Sequence, residues 1–159
     1  MPYNHSSAAL HVSMSDISES DQFDSAWDRF DDQDWLDFAS DWLVKLRTGM
    51  EPPDVDIDGL VVDLSFSAAP HHQWRFIETT VAGAQTDSEL GHIAAGPMEH
   101  LLGWHGPEWI EVVEQRAKQD RKFERMLTGV WRYMMSDDIW ARVKALQDTA
   151  RVASNVLTV

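Results

Sequence analysis

The sequence contains no cysteine, and this absence excludes several kinds of site. Neither a disulfide framework, nor a thiolate metal site, nor a cysteine nucleophile is available to the chain. No run of about 18 apolar residues is present that could form a transmembrane helix. The first twenty residues also lack the basic start and apolar stretch of a secretory signal peptide. We therefore expect a cytoplasmic protein without a membrane partner.

Positive charge is scarce, since 13 Lys and Arg stand against 27 Asp and Glu, a net charge of −14. Residues 1–68 hold 15 acidic and 3 basic residues, whereas residues 69–159 hold 12 and 10. Such a charge repels nucleic acid and anionic membranes and attracts basic proteins. Basic residues at 116–125 alternate with acidic ones, which is typical of a solvated helix face. We expect a basic protein partner and no nucleic acid, although the acidity could serve solubility alone.

Local signatures of catalysis are also missing: there is no glycine-rich phosphate loop, nucleophile elbow or recognisable Ser/His/Asp arrangement. Metal ligands on one helix face need spacings of three or four residues, a spacing that is absent among His92, Glu99, His100 and His105. The adjacent His71 and His72 are expected to point to different sides. We therefore expect no catalytic residue, no cofactor and no metal.

Apolar residues recur at helical spacing through most of the chain. The clearest stripe consists of Trp35, Phe38, Ala39, Trp42, Leu43 and Leu46, and Gly49 after it fits a left-handed helix cap. Further helices are expected from Ile57, where a strand is the alternative, from Pro70, after the "TDSE" capping box at 86–89, and in the segments that follow, the last capped by Ser136. Strand-like alternation is nearly absent.

This pattern predicts an all-α domain of seven to eight short helices, either a compact bundle or a short stack of antiparallel helix pairs. We expect residues 1–20 to be a flexible leader, residues 21–152 to be a single domain, and residues 153–159 to be a tail. The apolar content of 43% is sufficient for one core.

The stretch "AAGPMEHLLGWHG" at 94–106 keeps helical spacing across a Gly-Pro pair. Proline lacks an amide proton and crowds the carbonyl four residues earlier, at a cost of about 3 kcal/mol in an unbroken helix. We therefore expect an elbow at Gly96-Pro97: one helix from about Asp87 that stops before Pro97, and a second from about Pro97 to Trp104. A further helix is expected to begin at Pro107.

Two groups of residues are candidates for a site. The first is a pocket at the elbow formed by His92, Glu99, Trp104 and His105, where Glu99 could act as an acid or base. The alternative for Glu99 is structural, because a carboxylate in the first turn of a helix satisfies free amides. The second group is a partner-binding surface in the acidic half, made of Trp27, Asp28, Phe30, Asp31 and Asp32. The other tryptophans apart from Trp104, including Trp131, are expected to pack in the core.

The segment from residue 54 to about 145 resembles a family of small bacterial helical domains of unknown function. The residues that carry the resemblance are Trp74, Ala95, Gly96, Pro97, Met98, Glu99, Leu101, Leu102, His105 and Gly106, continued by Ala117, Phe123, Leu127 and Trp131. The resemblance implies a fold unit and carries no established activity. From the charge and the exposed aromatics we expect a small acidic protein-binding module, for example an immunity or inhibitor protein that covers a basic surface. The alternative is a ligand or enzymatic pocket that uses Glu99 and His105.

Overall fold

The computed structural model describes residues 26–157, so the leader expected over residues 1–20 lies outside the described residues. No strand occurs within residues 26–157, which confirms the all-α fold. The elements in chain order are α1 (Asp32–Thr48), α2 (Ile57–Ser67), α3 (Pro70–Gly83), α4 (Asp87–Ile93), a π-helical segment (Ala94–Met98), α5 (Glu99–Gln119), α6 (Arg121–Leu127) and α7 (Asp137–Val156). Helix α7 extends to Val156, past residue 152, where the domain was expected to end.

Local chemistry sets most of the helix boundaries, as the sequence predicts. Gly49 ends α1 with a φ of 73°, the left-handed conformation that glycine adopts without strain. Pro70 is the first residue of α3, and the capping box of Thr86 and Glu89 opens α4. Ser136 caps α7 through the amide of Ile139.

Helix α3 lies at the centre of the domain. It packs mainly against α1 and also touches α2, α4, the π-helical segment, α5 and α6. Phe76 and Ile77 on α3 are fully buried, and the ring of Phe76 lies 4.8 Å from that of Phe38 on α1. Because one helix contacts nearly all the others, the architecture is a compact bundle rather than a linear stack of helix pairs.

The interruption at Pro97 is present, but it takes the form of a π-helical segment rather than a corner between two helices. The α-helical pattern ends at Ile93, and Pro97 lies buried in the π-helical segment, where a wider hydrogen-bonded turn accommodates a residue without an amide proton. Backbone angles remain right-handed helical at Ile93 and Glu99. Helix α5 therefore begins at Glu99 and continues past Trp104.

The second expected break is found at His105, where φ is −128° and ψ is 21°, immediately before Gly106 and Pro107. The segment after α6 packs closely on the π-helical segment, because a Cβ on Gly129 would lie 3.1 Å from the Cβ of Ala94. Among the helices described, none combines the length and the apolar character that a membrane span requires.

Candidate functional site

Glu99 opens α5 and is buried, with 8% of its surface exposed. Its Oε1 atom accepts a hydrogen bond from the backbone amide of Trp131 at 2.8 Å. Burial raises the pKa of the Glu99 carboxyl, while the Trp131 amide and the nearby His100 act in the opposite direction. The structural role expected for Glu99 is therefore present, but its partner is a distant loop and not the first turn of its own helix.

That loop, residues 128–136, joins α6 to α7 and is held at several points. Gln147 on α7 is buried, and its side-chain amide donates to the carbonyls of Leu127 and Val130 at 2.9 and 2.8 Å. Tyr133 has a φ of 46°, an unusual conformation for a bulky residue that costs of order 1–3 kcal/mol. The surrounding contacts therefore impose a defined shape on the loop.

The loop presents large apolar side chains to solvent beside α2 and α5. The ring of Phe66 on α2 lies 4.4 Å from that of His100, and the His100 ring lies 5.0 Å from that of Tyr133. Phe66 is 58% exposed and Trp131 is 75% exposed, and both Tyr133 and Met134 are also exposed. We call these residues the aromatic surface: Phe66, His100, Trp131, Tyr133 and Met134.

Gly103 on α5 lies beneath the aromatic surface. A Cβ at this position would lie 2.8 Å from Cδ1 of the Tyr133 ring and 3.6 Å from Cβ of Met134. Real Cβ atoms essentially never approach a heavy atom within 3.0 Å. Tyr133 can therefore lie flat on α5 only because residue 103 has no side chain.

Negative charge remains near the aromatic surface after the internal ion pairs are formed. Each arginine from Arg47 to Arg151 pairs with a carboxylate, including Arg132 of the loop, which pairs with Asp137. Asp63 lies one helical turn before Phe66, and it has no ion-pair partner among residues 26–157. A basic molecule would therefore meet uncompensated carboxylate charge beside exposed rings.

The four residues of the pocket expected at the elbow differ in their exposure. His92 is exposed on α4, Trp104 is exposed on α5, and His105 is half-buried at the kink. In the described part of the chain, no hydrogen bond or ring contact joins these three residues to one another or to Glu99. One cleft lies between α1 and α3, and another is bordered by α4, α6 and the end of α7.

The expectation that Trp27 is an exposed anchor is wrong, because it is 6% exposed and belongs to the core. Its ring stacks on those of Trp35 and Phe38, with centroids 6.0 and 5.6 Å away. Phe30 is half-buried and packs against the same rings. The burial of apolar area among these rings stabilises the fold and removes Trp27 from any partner-binding surface.

The carboxylates expected to bind a partner have intramolecular roles. Asp31 is the N-cap of α1 and forms a capping box with Asp34. Asp32 pairs with Arg75 on α3 at 2.6 Å. Asp28 accepts a hydrogen bond from the imidazole of His72 at 2.6 Å. Asp28 and Asp32 therefore attach the segment before α1, and the start of α1, to α3, whereas Asp31 stabilises the first turn of α1.

His71 and His72 do not point to different sides, so that expectation is wrong. Their ring centroids lie 4.0 Å apart, and His72 also stacks on Trp35. The ligand atoms of His71, His72 and Asp28 all lie within 4.8 Å of one another. Neighbouring helical residues leave the helix in different directions, but the two side-chain torsions of histidine allow the rings to converge.

Sequence reasoning missed the role of the loop and of Gln147. Trp131 was expected to pack in the core, but α6 ends at Leu127 and the Trp131 side chain lies in solvent. The signal that could have located the loop is the run "GVWRYMMS", in which bulky residues follow a glycine without helical spacing. No local pattern identifies Gln147.

No curated protein and no solved structure matches the chain. A family model described as a family of unknown function, DUF6869, matches residues 54–151. The matched part includes the aromatic surface, Glu99 and Gln147, whereas the segment from Trp27 to Asp32 precedes it. Since the match covers more than half of the chain, the protein belongs to the family DUF6869.

Proposed function

We propose that the protein is a non-enzymatic protein-binding module that contacts its partner through the aromatic surface. The observation that carries this proposal is the set of large rings that remain in solvent although the domain has an extensive core. Clustered exposed apolar side chains are typical of interaction sites, and tryptophan and tyrosine are the residues most enriched among those that dominate binding energies.

The support of the loop favours the same function. Gln147 and Glu99 hold the backbone up to Trp131, and Gly103 leaves room for the Tyr133 ring, before any partner arrives. A surface that is already ordered loses less conformational entropy on binding than a flexible one. Backbone strain such as that at Tyr133 is concentrated at functional sites in proteins generally.

We propose that the partner is a basic protein with an apolar patch bordered by Lys or Arg. The net charge of −14 and the unpaired Asp63 beside Phe66 support this choice. Opposite charges on the two proteins accelerate their encounter, whereas like charges disfavour acidic competitors. An immunity or inhibitor protein that covers a basic surface in a bacterial cytoplasm fits this description. The alternative of an enzymatic pocket at Glu99 and His105 is not proposed, since no hydrogen bond joins these two side chains within residues 26–157.

The proposal can be tested by photo-crosslinking in the native host. A photoreactive phenylalanine analogue replaces Tyr133 in one protein and Val152, an exposed residue of α7, in the control. We expect a basic protein to crosslink at position 133 and not at position 152. Crosslinking at the two positions with equal yield would contradict the proposal, as would crosslinking only to a second copy of this chain.

Binding of the identified partner in purified form then provides the quantitative test. Trp131→Ala should raise Kd by about 30-fold, as expected for a residue worth about 2 kcal/mol, whereas Val152→Ala should change it less than twofold. Gly103→Ala should also weaken binding, because it displaces Tyr133 without removing any ring. Association should slow between low salt and about 0.5 M salt. Unchanged Kd values for Trp131→Ala and Gly103→Ala in folded protein would refute the assignment of the surface.

A further inference from the structure

We propose that Asp28, His71 and His72 form a binding site for a divalent transition-metal ion of the Zn²⁺ class. None of the three residues belongs to α2, α5 or the loop 128–136, which form the aromatic surface. Asp28 precedes α1, and the two histidines are the second and third residues of α3. The proposal is independent of the partner-binding function.

The geometry of the three side chains carries the proposal. One ligand atom from each residue lies within 4.8 Å of the others, and the Nε2 of His72 is 2.6 Å from Oδ1 of Asp28. In a tetrahedral site with bonds of about 2.0–2.2 Å, neighbouring ligand atoms are about 3.3 Å apart. Small side-chain rotations would therefore bring the three atoms to ligand distance of one ion.

The fold by itself explains only part of this cluster. The hydrogen bond between Asp28 and His72 fastens the segment before α1 to α3, and Trp35 stacks on His72. His71 is exposed, and within residues 26–157 it forms no hydrogen bond or ion pair, while its ring packs against that of His72. The His71 ring therefore lies close to the other two ligand atoms without a hydrogen bond that would explain its position there.

The donor set selects the class of ion. Two imidazole nitrogens and one carboxylate oxygen suit Zn²⁺ and its transition-metal neighbours, whereas Mg²⁺ and Ca²⁺ prefer oxygen ligands alone. The absence of cysteine removes the thiolates that favour Cu⁺. Asp28 and His71 are both exposed, so the fourth coordination position faces solvent and is filled by water.

A bound ion would link two parts of the domain that are distant in sequence. Asp28 directly follows the buried Trp27, while His71 and His72 begin the central helix α3. Any ion that binds the folded chain and not the unfolded chain stabilises the fold. At a free ion concentration of about 100 times Kd, we expect the melting temperature to rise by about 5–10 °C.

The experiment uses the untagged full-length chain after metal removal. Zn²⁺ is titrated by calorimetry, Co²⁺ is added in parallel to follow the visible absorption of a tetrahedral site, and melting is measured with and without Zn²⁺. His71→Ala removes an exposed ligand that the fold does not use. Asp28→Asn keeps a hydrogen-bond acceptor for His72 but weakens the ligand charge. His92→Ala, an exposed histidine of α4, is the matched control.

We expect one Zn²⁺ per chain, a Kd raised at least about tenfold by His71→Ala and by Asp28→Asn, and a Kd within about twofold of the parent for His92→Ala. The stabilisation by Zn²⁺ should disappear in His71→Ala while its metal-free melting temperature stays unchanged. A double variant of the N-terminal histidines, His5→Ala/His11→Ala, should bind like the parent. Binding that is equally strong in His71→Ala, or that is lost only in the N-terminal double variant, would overturn the proposal.

Discussion

Replacement of Glu99 by alanine and by glutamine separates its hydrogen bond from its charge. In the folded protein the Glu99 carboxylate accepts from the Trp131 amide and is largely removed from water. Glutamine retains a carbonyl oxygen that can accept the same hydrogen bond and removes the buried charge. Alanine removes both and leaves the Trp131 amide without its acceptor.

The expected magnitudes follow from these differences. Loss of a hydrogen bond to a charged group costs about 1.5–3 kcal/mol, partly offset in the alanine variant because a carboxylate no longer has to be buried. We therefore expect Glu99→Ala to lower the free energy of unfolding by about 1–2 kcal/mol, or the melting temperature by about 2–8 °C. Glu99→Gln should stay within about 0.5 kcal/mol of the parent at neutral pH or exceed it.

The raised pKa of Glu99 adds a dependence on pH. A carboxyl whose pKa is higher in the folded than in the unfolded state contributes stability below its unfolded pKa, and this contribution is lost as pH rises through the folded pKa. The parent should therefore lose stability relative to Glu99→Gln between acidic and neutral pH. Urea unfolding of all three proteins across this range is the measurement. Equal stability of the two variants, or a parent that gains on Glu99→Gln as pH rises, would refute this reasoning.

Three further outcomes are expected from urea unfolding. Trp27→Ala should cost about 3–5 kcal/mol because it empties a core position, and a cost below about 1 kcal/mol would mean that the ring is not buried in solution. Gln147→Leu should cost about 2 kcal/mol and accelerate amide hydrogen exchange in residues 128–136, whereas unchanged exchange would show that Gln147 does not hold the loop. Burial alone would raise the pKa of Glu89, but two backbone amides and Arg47 hold this pKa below its usual range. Glu89→Gln should therefore cost about 1–3 kcal/mol at neutral pH, and the difference in stability from the parent should close as pH falls through the folded pKa. A difference in stability that widens in acid would contradict this.

The local pattern of the sequence was sufficient to predict the position of most of the helices. The stripe from Trp35 to Leu46, the cap at Gly49 and the capping box at Thr86 and Glu89 all depend on residues within one or two turns of one another. At Pro97 the sequence indicated an interruption, because the missing amide is a local fact. It did not indicate the form of that interruption, since a π-helical turn is selected by the packing around it.

Two tryptophans whose burial was predicted wrongly show where the local sequence pattern is insufficient. Trp27 was expected in solvent and lies in the core, while Trp131 was expected in the core and lies in solvent. Trp131 lies in the loop after α6, and Trp27 lies in a helical turn ahead of α1, so neither belongs to a long stripe whose periodicity could define which side faces inward. The packing of neighbouring aromatics around Trp27, and the hydrogen bond that the Trp131 amide donates to Glu99, fix their backbone positions.

The sequence by itself determined the helical class, most helix ends, the acidity and the absence of thiol chemistry, because these depend on composition and on neighbours along the chain. The tertiary structure alone decided which side chains form sites. It brought Phe66, His100 and Tyr133 into one surface, and it brought Asp28 beside two histidines 43 and 44 residues away. Contacts of this kind arise from the burial of apolar area between helices, and that burial is a property of the whole bundle rather than of any one segment.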